Sequence, residues 1–404
     1  EASPPPSFYS NTEPPDLDAP ADIRTALSSP NSADWLPSIS AEYDAFFQFD
    51  AIRVVPRSTV PHDAEIHPSL INFKITRSGR FKTRWCLDGK SVKRRDQLAS
   101  ATLPPAHDDA PHTVSNKTRV YSSPCADNDA VLLFAALCAH YKYKPIAGDA
   151  KNAYLQADPL PDKYACYMRP PRHFKDFLVA RHGATNLPYD PYDIYFQLIK
   201  PGYGHPVAGR TWYHTFTSFL VDTLHFVSTD YHPCFFIRHE TDGPPTILIT
   251  IVDNIPIAGQ PHHTQAIRSS LSEHFVMTWD DTADDICGLC FDVHPAHSLS
   301  VHQHPYADKL LSKLDYLHVS TSSDTPMHPN FRVDPDISQP LPTHLPVPTF
   351  NPRQVLGYLT YLRPTYPMLS RTIHVLATAI NVWTDKHTWA LDHLLRWLST
   401  HRRL

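Results

Sequence analysis

Two short apolar runs each end in a carboxylate. One is Pro145-Ile146-Ala147-Gly148-Asp149. The other is Ile249-Thr250-Ile251-Val252-Asp253, with Asn254 next. An aspartate at the end of a buried strand is costly unless it is paired, hydrogen-bonded or bound to metal. On neighbouring strands the two carboxylates would lie within a few ångströms and repel, unless a divalent cation sat between them. Mg²⁺ takes one or two carboxylates together with substrate phosphates. Two such ions about 4 Å apart stabilise the attacking and leaving oxygens of an in-line phosphoryl displacement. The alternative is that each aspartate caps a turn or the following helix. Spacing alone favours the capping reading.

The elements that must position these groups follow from periodicity. Glu42, Tyr43, Phe46, Phe47 and Phe49 read as a short helix entering a strand, 51–55. Residues 72–83 alternate and contain Ser78-Gly79, a hairpin turn signal. Asp127–Tyr141 is an apolar helix ended by Pro145, and Ile146–Ala150 a short buried strand. A second helix is expected at 212–224, a central strand at 246–252 and a third helix at 264–275. Helices follow at 354–362 and 373–397. Helices alternating with acid-ended strands imply an α/β (α+β) fold.

The chain of 404 residues allows one large domain or two to three ordinary ones. Its 41 prolines are roughly twice the usual share and its 11 glycines are few. A collagen or glycine linker is excluded. The formal charge of −5 advertises neither nucleic acid nor membrane. It conceals a local patch. Residues 72–96 hold nine basic side chains (Lys74, Arg77, Arg80, Lys82, Arg84, Lys90, Lys93, Arg94, Arg95) against Asp88 and Asp96. Phe73, Phe81 and Trp85 interleave with them, as on surfaces that grip a phosphate backbone. A solvated basic hairpin is the other reading. Seven cysteines without regular spacing argue against a secreted disulfide scaffold. No signal peptide or membrane-spanning run is expected.

The neighbours of the acidic turns carry a resemblance. Gly148-Asp149-Ala150-Lys151-Asn152-Ala153-Tyr154-Leu155 and Ile251-Val252-Asp253-Asn254-Ile255 are similar to two catalytic motifs of copia-type retrotransposon reverse transcriptases. Tyr203-Gly204 with Arg210-Thr211-Trp212-Tyr213, Asp230–Phe235, Asp324–Met327 and Tyr358–Pro364 resemble further blocks of that family, in the family's order. The resemblance covers about residues 35–404. It implies a right-hand polymerase. A Pro/Ser-rich leader would occupy 1–30, a fingers-like region 31–124, a palm 125–328, a Pro-rich linker 329–350 and a helical connection 351–404. The RNase H domain that usually follows is not expected in this chain.

The resemblance also implies roles. Asp149 and Asp253 would hold Mg²⁺, with Mn²⁺ possible, and Asn254 would occupy a third acidic position. Tyr154 would gate the sugar, and Lys82 and Arg84 would meet the incoming triphosphate. Lys74, Arg77, Arg80 and Arg210 would contact nucleic acid. The implied partners are an RNA or DNA template with primer, dNTPs and other parts of a Gag-Pol polyprotein, with no membrane. The expected location is a cytoplasmic virus-like particle or the nucleus. The implied activity is RNA-directed DNA polymerisation by two-metal nucleotidyl transfer. Its alternative is a catalytically inactive nucleic-acid-binding module or a retroelement relic.

Three departures bear on that choice. Asn254 replaces the second Asp of the family's Y-V-D-D, Ile251 replaces its Tyr, and Val207 stands where a Gln would touch the nucleotide. Asp to Asn is one G-to-A change, and scarce glycine fits a G-poor coding strand, so a decaying or hypermutated element copy is expected, with lineage-specific variation as the alternative. Cys287, Cys290, His294 and His297 have ligand types that suit zinc, but the gap is shorter than in zinc fingers. The His262-His263 and His302–His304 clusters read as exposed polar residues.

Overall fold

The computed structural model describes residues 19–76, 79–88, 123–160, 166–294, 298–319, 323–328, 331 and 351–403. In chain order its first elements are α1 (Ile23–Ser28), α2 (Ser32–Gln48), β1 (Ile52–Pro56), β2 (Glu65–His67), β3 (Ser69–Ile75) and β4 (Phe81–Leu87). Then come α3 (Asn128–Tyr141), β5 (Ile146–Ala150), β6 (Cys166–Met168), α4 (Phe174–His182), β7 (Ile194–Leu198) and α5 (Ala208–Ser218). Strands β8 (Val227–Ser228), β9 (Phe235–Arg238), β10 (Thr246–Ile249) and β11 (Asn254–Ala258) lead to α6 (Pro261–His274). The remainder holds β12 (Met277–Asp280), β13 (Asp285–Ile286), β14 (Leu289–Val293), β15 (Leu299–His302), α7 (His304–Lys313), α8 (Pro352–Tyr361), α9 (Leu369–Thr378) and α10 (Asp385–His401). The fold is mixed α/β, as the patterning implied.

The described residues form two compact units. The first holds those up to Cys125, with Ala150–Val227 and Ser270–Thr278. The second holds Ala126–Asp149, Ser228–Ser269 and the described part of Trp279–Leu404.

The first unit contains a sheet in the order β1-β7-β6-β2 and the antiparallel hairpin β3–β4. Its core gathers Trp35, Phe46, Trp85, Phe174, Phe177 and Phe196. Two features differ from expectation. The leader was expected to run to residue 30, but α1 is ordered: Asp22 caps it by accepting from the Thr25 N–H at 2.9 Å, and Ile23 and Ala26 are buried. The helix expected around residue 42 begins at Ser32 and runs through Pro37. Proline lacks the N–H that would bond one turn back, so its presence masked the helix in the sequence.

The second unit is built on the antiparallel strands β5, β11, β10 and β9, neighbours in that order. Every residue of β10 is buried, as is 255–258 of β11, so both strands read as continuous apolar runs. Helix α3 packs on β10. Its cap is Asp127, whose carboxylate accepts from the Ala130 N–H at 2.9 Å. Lys142 at φ +59° ends α3, three residues before the proline expected to do so. Helices α7 to α10 share a separate apolar core that includes Leu311, Leu359, Leu376 and Leu394. Most of the expected linker 329–350 and of the leader 1–30 lies outside the described residues.

Candidate active site

The carboxylate turn lies wholly in the second unit. Strand β10 stops at Ile249, three residues earlier than expected. Thr250 is diverted: its N–H donates to the Cys234 carbonyl at 3.0 Å, and its carbonyl accepts from the Ala126 N–H at 3.1 Å. Ile251 and Asn254 then exchange both backbone hydrogen bonds, at 2.8 and 3.0 Å. Val252 and Asp253 are left as a two-residue tip. Val252 sits at φ +56°. A β-branched residue there is strained by roughly 1–3 kcal/mol, and such strain gathers at functional sites. Asn254 opens β11, and its register partner on β5 is Asp149. Directly opposed residues of an antiparallel pair project to the same face, with Cβ atoms about 4.5–5.5 Å apart. Asp149 and Asn254 are therefore neighbours on one face, and Asp253 is one residue from Asn254.

The chemistry of this set is all-oxygen. Asp149 is exposed and Asp253 half-buried. The Asn254 Oδ1 is buried and accepts no hydrogen bond. An unused buried acceptor costs about 1–3 kcal/mol. Two carboxylates and a carbonyl oxygen with a spare lone pair suit a hard divalent cation. The residues fit such an ion.

The basic hairpin lies in the first unit. Period-2 alternation puts Lys74, Lys82 and Arg84 on its outer face, where Lys74 pairs with Lys82 and Asn72 with Arg84. Two lysines directly opposite one another favour an anion between them. The aromatic residues are not part of that face. Phe73 and Phe81 meet Trp35 edge-on at 5.2 and 4.6 Å, and Trp85 is buried in the core. Their expected role on a phosphate-gripping surface is corrected: the same alternation that exposes the lysines turns the rings inward. Gly79 at φ +77° makes the turn. Arg80 is exposed beside it. Arg77 and the basic residues 90–95 lie outside the described residues.

Arg84 is held by a set of groups. One Nη donates to Asn152 Oδ1 at 3.1 Å and to the Tyr203 hydroxyl at 2.6 Å. The guanidinium also lies 4.3 Å from the Tyr203 ring centroid. Tyr154 packs on the same ring, with centroids 5.3 Å apart. A Glu42 oxygen stands 4.0 Å away. Burial raises the Glu42 pKa, against the pull of Arg84 and of the Trp85 N–H that donates to Glu42 at 3.0 Å. Arg84 and Tyr154 were expected site residues. Their partners Asn152, Tyr203 and Glu42 were not singled out. Tyr203 and Asn152 stand inside the quoted motifs, whereas nothing in the sequence links Glu42 to residue 84.

Gly204 explains why Tyr203 can reach this place. Its φ is +83°, and a Cβ would fall 2.1 Å from the Leu87 carbonyl oxygen. The close approach lets the Leu87 N–H donate to the Tyr203 carbonyl at 2.8 Å. Three residues on, Val207 is buried in the packing rather than presented to solvent. Arg210 on α5 is half-buried, and burial lowers its pKa. It does not belong to the exposed stripe of Lys74 and Lys82. Cys287, Cys290 and His294 do not converge among the described residues, and His297 is outside them. His294 instead meets the Ser300 hydroxyl at 2.8 Å. No helix of the described residues is long and apolar enough to cross a membrane.

Comparison with known proteins shows what the chain is similar to. The family model described as reverse transcriptase (RNA-dependent DNA polymerase) matches residues 113–329, a span that includes Asp149, Tyr154, Asp253 and Asn254. The chain is similar to the retrovirus-related Pol polyprotein from transposon RE2 of Arabidopsis thaliana, 29% identical over 256 residues. It is 26% identical over 251 residues to the corresponding polyprotein from transposon RE1. Each alignment covers 62% of this chain and 16% of the relative, so the chain spans about a sixth of the curated relatives it matches. Among solved structures, the foamy viral protease-reverse transcriptase in complex with dsDNA aligns over 89% of this chain and 56% of that one. The TM-score is 0.43 and the identity 14%. The chain belongs to the reverse transcriptase (RNA-dependent DNA polymerase) family.

Proposed function

We propose that the chain is the RNA-directed DNA polymerase domain of a copia-type retrotransposon Pol polyprotein. Its substrates are a primed RNA or DNA template and dNTPs. The observation that carries this reading is the ladder pairing of Asp149 with Asn254, with Asp253 at the adjoining hairpin tip.

Asp149 and Asp253 hold the divalent ions, and Asn254 adds a neutral oxygen where the family has a second aspartate. Bound Mg²⁺ activates a primer 3′-hydroxyl and neutralises triphosphate charge. Mn²⁺, which accepts the same oxygen ligands, substitutes for it. The protein's own groups do the positioning. Lys82 and Arg84 meet the triphosphate oxygens, and Tyr203 and Asn152 orient the Arg84 fork before the nucleotide arrives. Tyr154, braced on Tyr203, packs under the sugar and excludes a 2′-hydroxyl. Lys74, Arg77 and Arg80 neutralise template–primer phosphates. Arg210, half-buried, contributes less than these.

Asn254 also supports a second reading. An amide opposite Asp149 removes one negative charge from the ion site, and a chain silenced there would still bind primer–template. Single-nucleotide incorporation on a primed RNA template tests the proposal. Incorporation that needs Mg²⁺ or Mn²⁺ and is lost in Asp149→Ala supports it. Binding of primer–template without incorporation in any divalent ion favours the inactive module. No binding at all contradicts both.

A further inference from the structure

At the far end of the β10–β11 hairpin from Asp253, three side chains converge that the polymerase chemistry does not use. Asp242 lies in the β9–β10 connection. His262 and His263 open α6. His262 Nε2 is 3.0 Å from Asp242 Oδ2, and His263 Nε2 is 2.7 Å from Asp242 Oδ1. The ligand atoms of all three lie within 4.8 Å of one another.

A second carboxylate stands behind one of the two rings. His263 Nδ1 faces Glu240 Oε2 at 3.4 Å. Glu240 is half-buried, and it also accepts from Arg238 Nε at 2.8 Å and Thr246 Oγ1 at 2.6 Å. A carboxylate so fixed orients the His263 ring, with Nδ1 toward Glu240 and Nε2 toward Asp242. In the tautomer with its proton on Nδ1, His263 Nε2 offers a lone pair to a cation shared with Asp242. A carboxylate behind a histidine ring is the usual support of a metal-bound imidazole. With metal–nitrogen and metal–oxygen bonds of about 2.0–2.2 Å, ligands in one coordination shell stand roughly 3 Å apart. The Asp–His separations already have that scale.

The backbone holds the three groups in place. A Cβ on Gly243 would fall 2.1 Å from Gln260 Nε2, and one on Gly259 would fall 2.7 Å from Thr246 Oγ1. Both glycines thus let the Asp242 loop lie against the start of α6. The Thr264 N–H donates to the Gln260 carbonyl at 3.0 Å and continues that turn.

We propose that Asp242, His262 and His263 bind a first-row transition-metal dication, zinc in particular, with Glu240 as the orienting residue behind His263. Imidazole nitrogen suits zinc and not magnesium, so this site is chemically distinct from the oxygen set at Asp149. The ion would tie the β9–β10 loop to α6.

The test uses the whole chain without a histidine tag. Zn²⁺ is titrated by calorimetry in excess Mg²⁺, and Co²⁺ is read by its visible absorption. One Zn²⁺ per chain is expected, with a rise in melting temperature. Affinity should fall at least about tenfold in Asp242→Asn and in His263→Ala, and about 10–100-fold in Glu240→Gln. Asp149→Asn should leave it unchanged. Asp242 is exposed, so its variant keeps the test valid if His263→Ala does not fold. Zn²⁺ uptake by the parent no greater than by a His262→Ala/His263→Ala double variant overturns the proposal. So does uptake that survives Asp242→Asn.

Discussion

Asp149 and Asn254 are directly opposed across the β5–β11 ladder. The pairing joins the end of one apolar strand to the start of another and sets a carboxylate beside an amide on one face. It brings two motifs about a hundred residues apart in the chain together as one cluster of oxygen-bearing side chains. The residue at 254 therefore decides the charge of that cluster.

Asn254→Asp should make stability depend on divalent ions. Like charges directly opposed on a sheet destabilise it by about 0.2–1 kcal/mol. In chelator the variant should melt below the parent, and Mg²⁺ or Mn²⁺ should restore it. Thermal unfolding with and without EDTA checks this. An equal response of parent and variant to the ions would place residue 254 outside the ion site.

Gly204→Ala should be strongly destabilising. The left-handed dihedral alone costs roughly 1–3 kcal/mol in a residue with a Cβ, and the methyl would press on the Leu87 carbonyl. Gly357 in α8 is the control, since nothing lies within 4 Å of a Cβ there. Gly357→Ala should gain about 0.5–1 kcal/mol, as helix interiors favour alanine. Denaturant unfolding of the two variants gives the comparison, and equal effects would refute the close-approach argument.

Arg84→Ala should raise the KM for dNTP by about tenfold or more, the value of charge-assisted hydrogen bonds to a triphosphate. Arg84→Lys should recover only part of it. Lysine keeps the charge but loses the planar fork and the stacking on Tyr203. Steady-state single-nucleotide kinetics measure this. A KM unchanged in both variants would mean that Arg84 serves only to brace Tyr203 and Glu42.

His205 should make the fold acid-sensitive. Burial, aided by the nearby charge of His67, lowers its pKa from 6.5 to about 4. A base with a depressed folded-state value favours the folded chain while neutral. Its contribution is complete above pH 6.5 and is lost as pH falls towards about 4. His205→Gln cannot charge, so between those values it should lose less stability than the parent. Melting curves across that range check the sign, and a parent no more acid-sensitive than the variant would contradict it.

The regular elements were legible where one physical signal dominated. The strand 146–150 and the capped helix after Asp127 stand where periodicity put them, and Ser78-Gly79 marked the hairpin turn. Failures came where tertiary structure overrode a local signal. Pro37 hid the first half of α2 although the helix passes through it. Strand β10 ends at Ile249 because Thr250 bonds to Cys234 and Ala126 rather than to the ladder, which no apolar run reveals. The aromatic residues of the basic hairpin interleave with its charges in the sequence, as on a phosphate-gripping surface, yet strict alternation sends them to the core. For the candidate site, the motifs point to Asp149, Asp253, Tyr154 and Arg84, which remain a proposal. Glu42 and the pairing of Asp242 with His262 and His263 were not legible, because their contacts arise only on folding.

The most direct measurement is primer extension on an RNA template by the chain as it stands, Asn254→Asp and Asp149→Ala, each in Mg²⁺ and in Mn²⁺. If Asp149, Asp253 and residue 254 form the ion site, Asn254→Asp extends faster than the parent and Asp149→Ala does not extend at all. Extension by Asp149→Ala equal to that of the parent would contradict the assignment of the site.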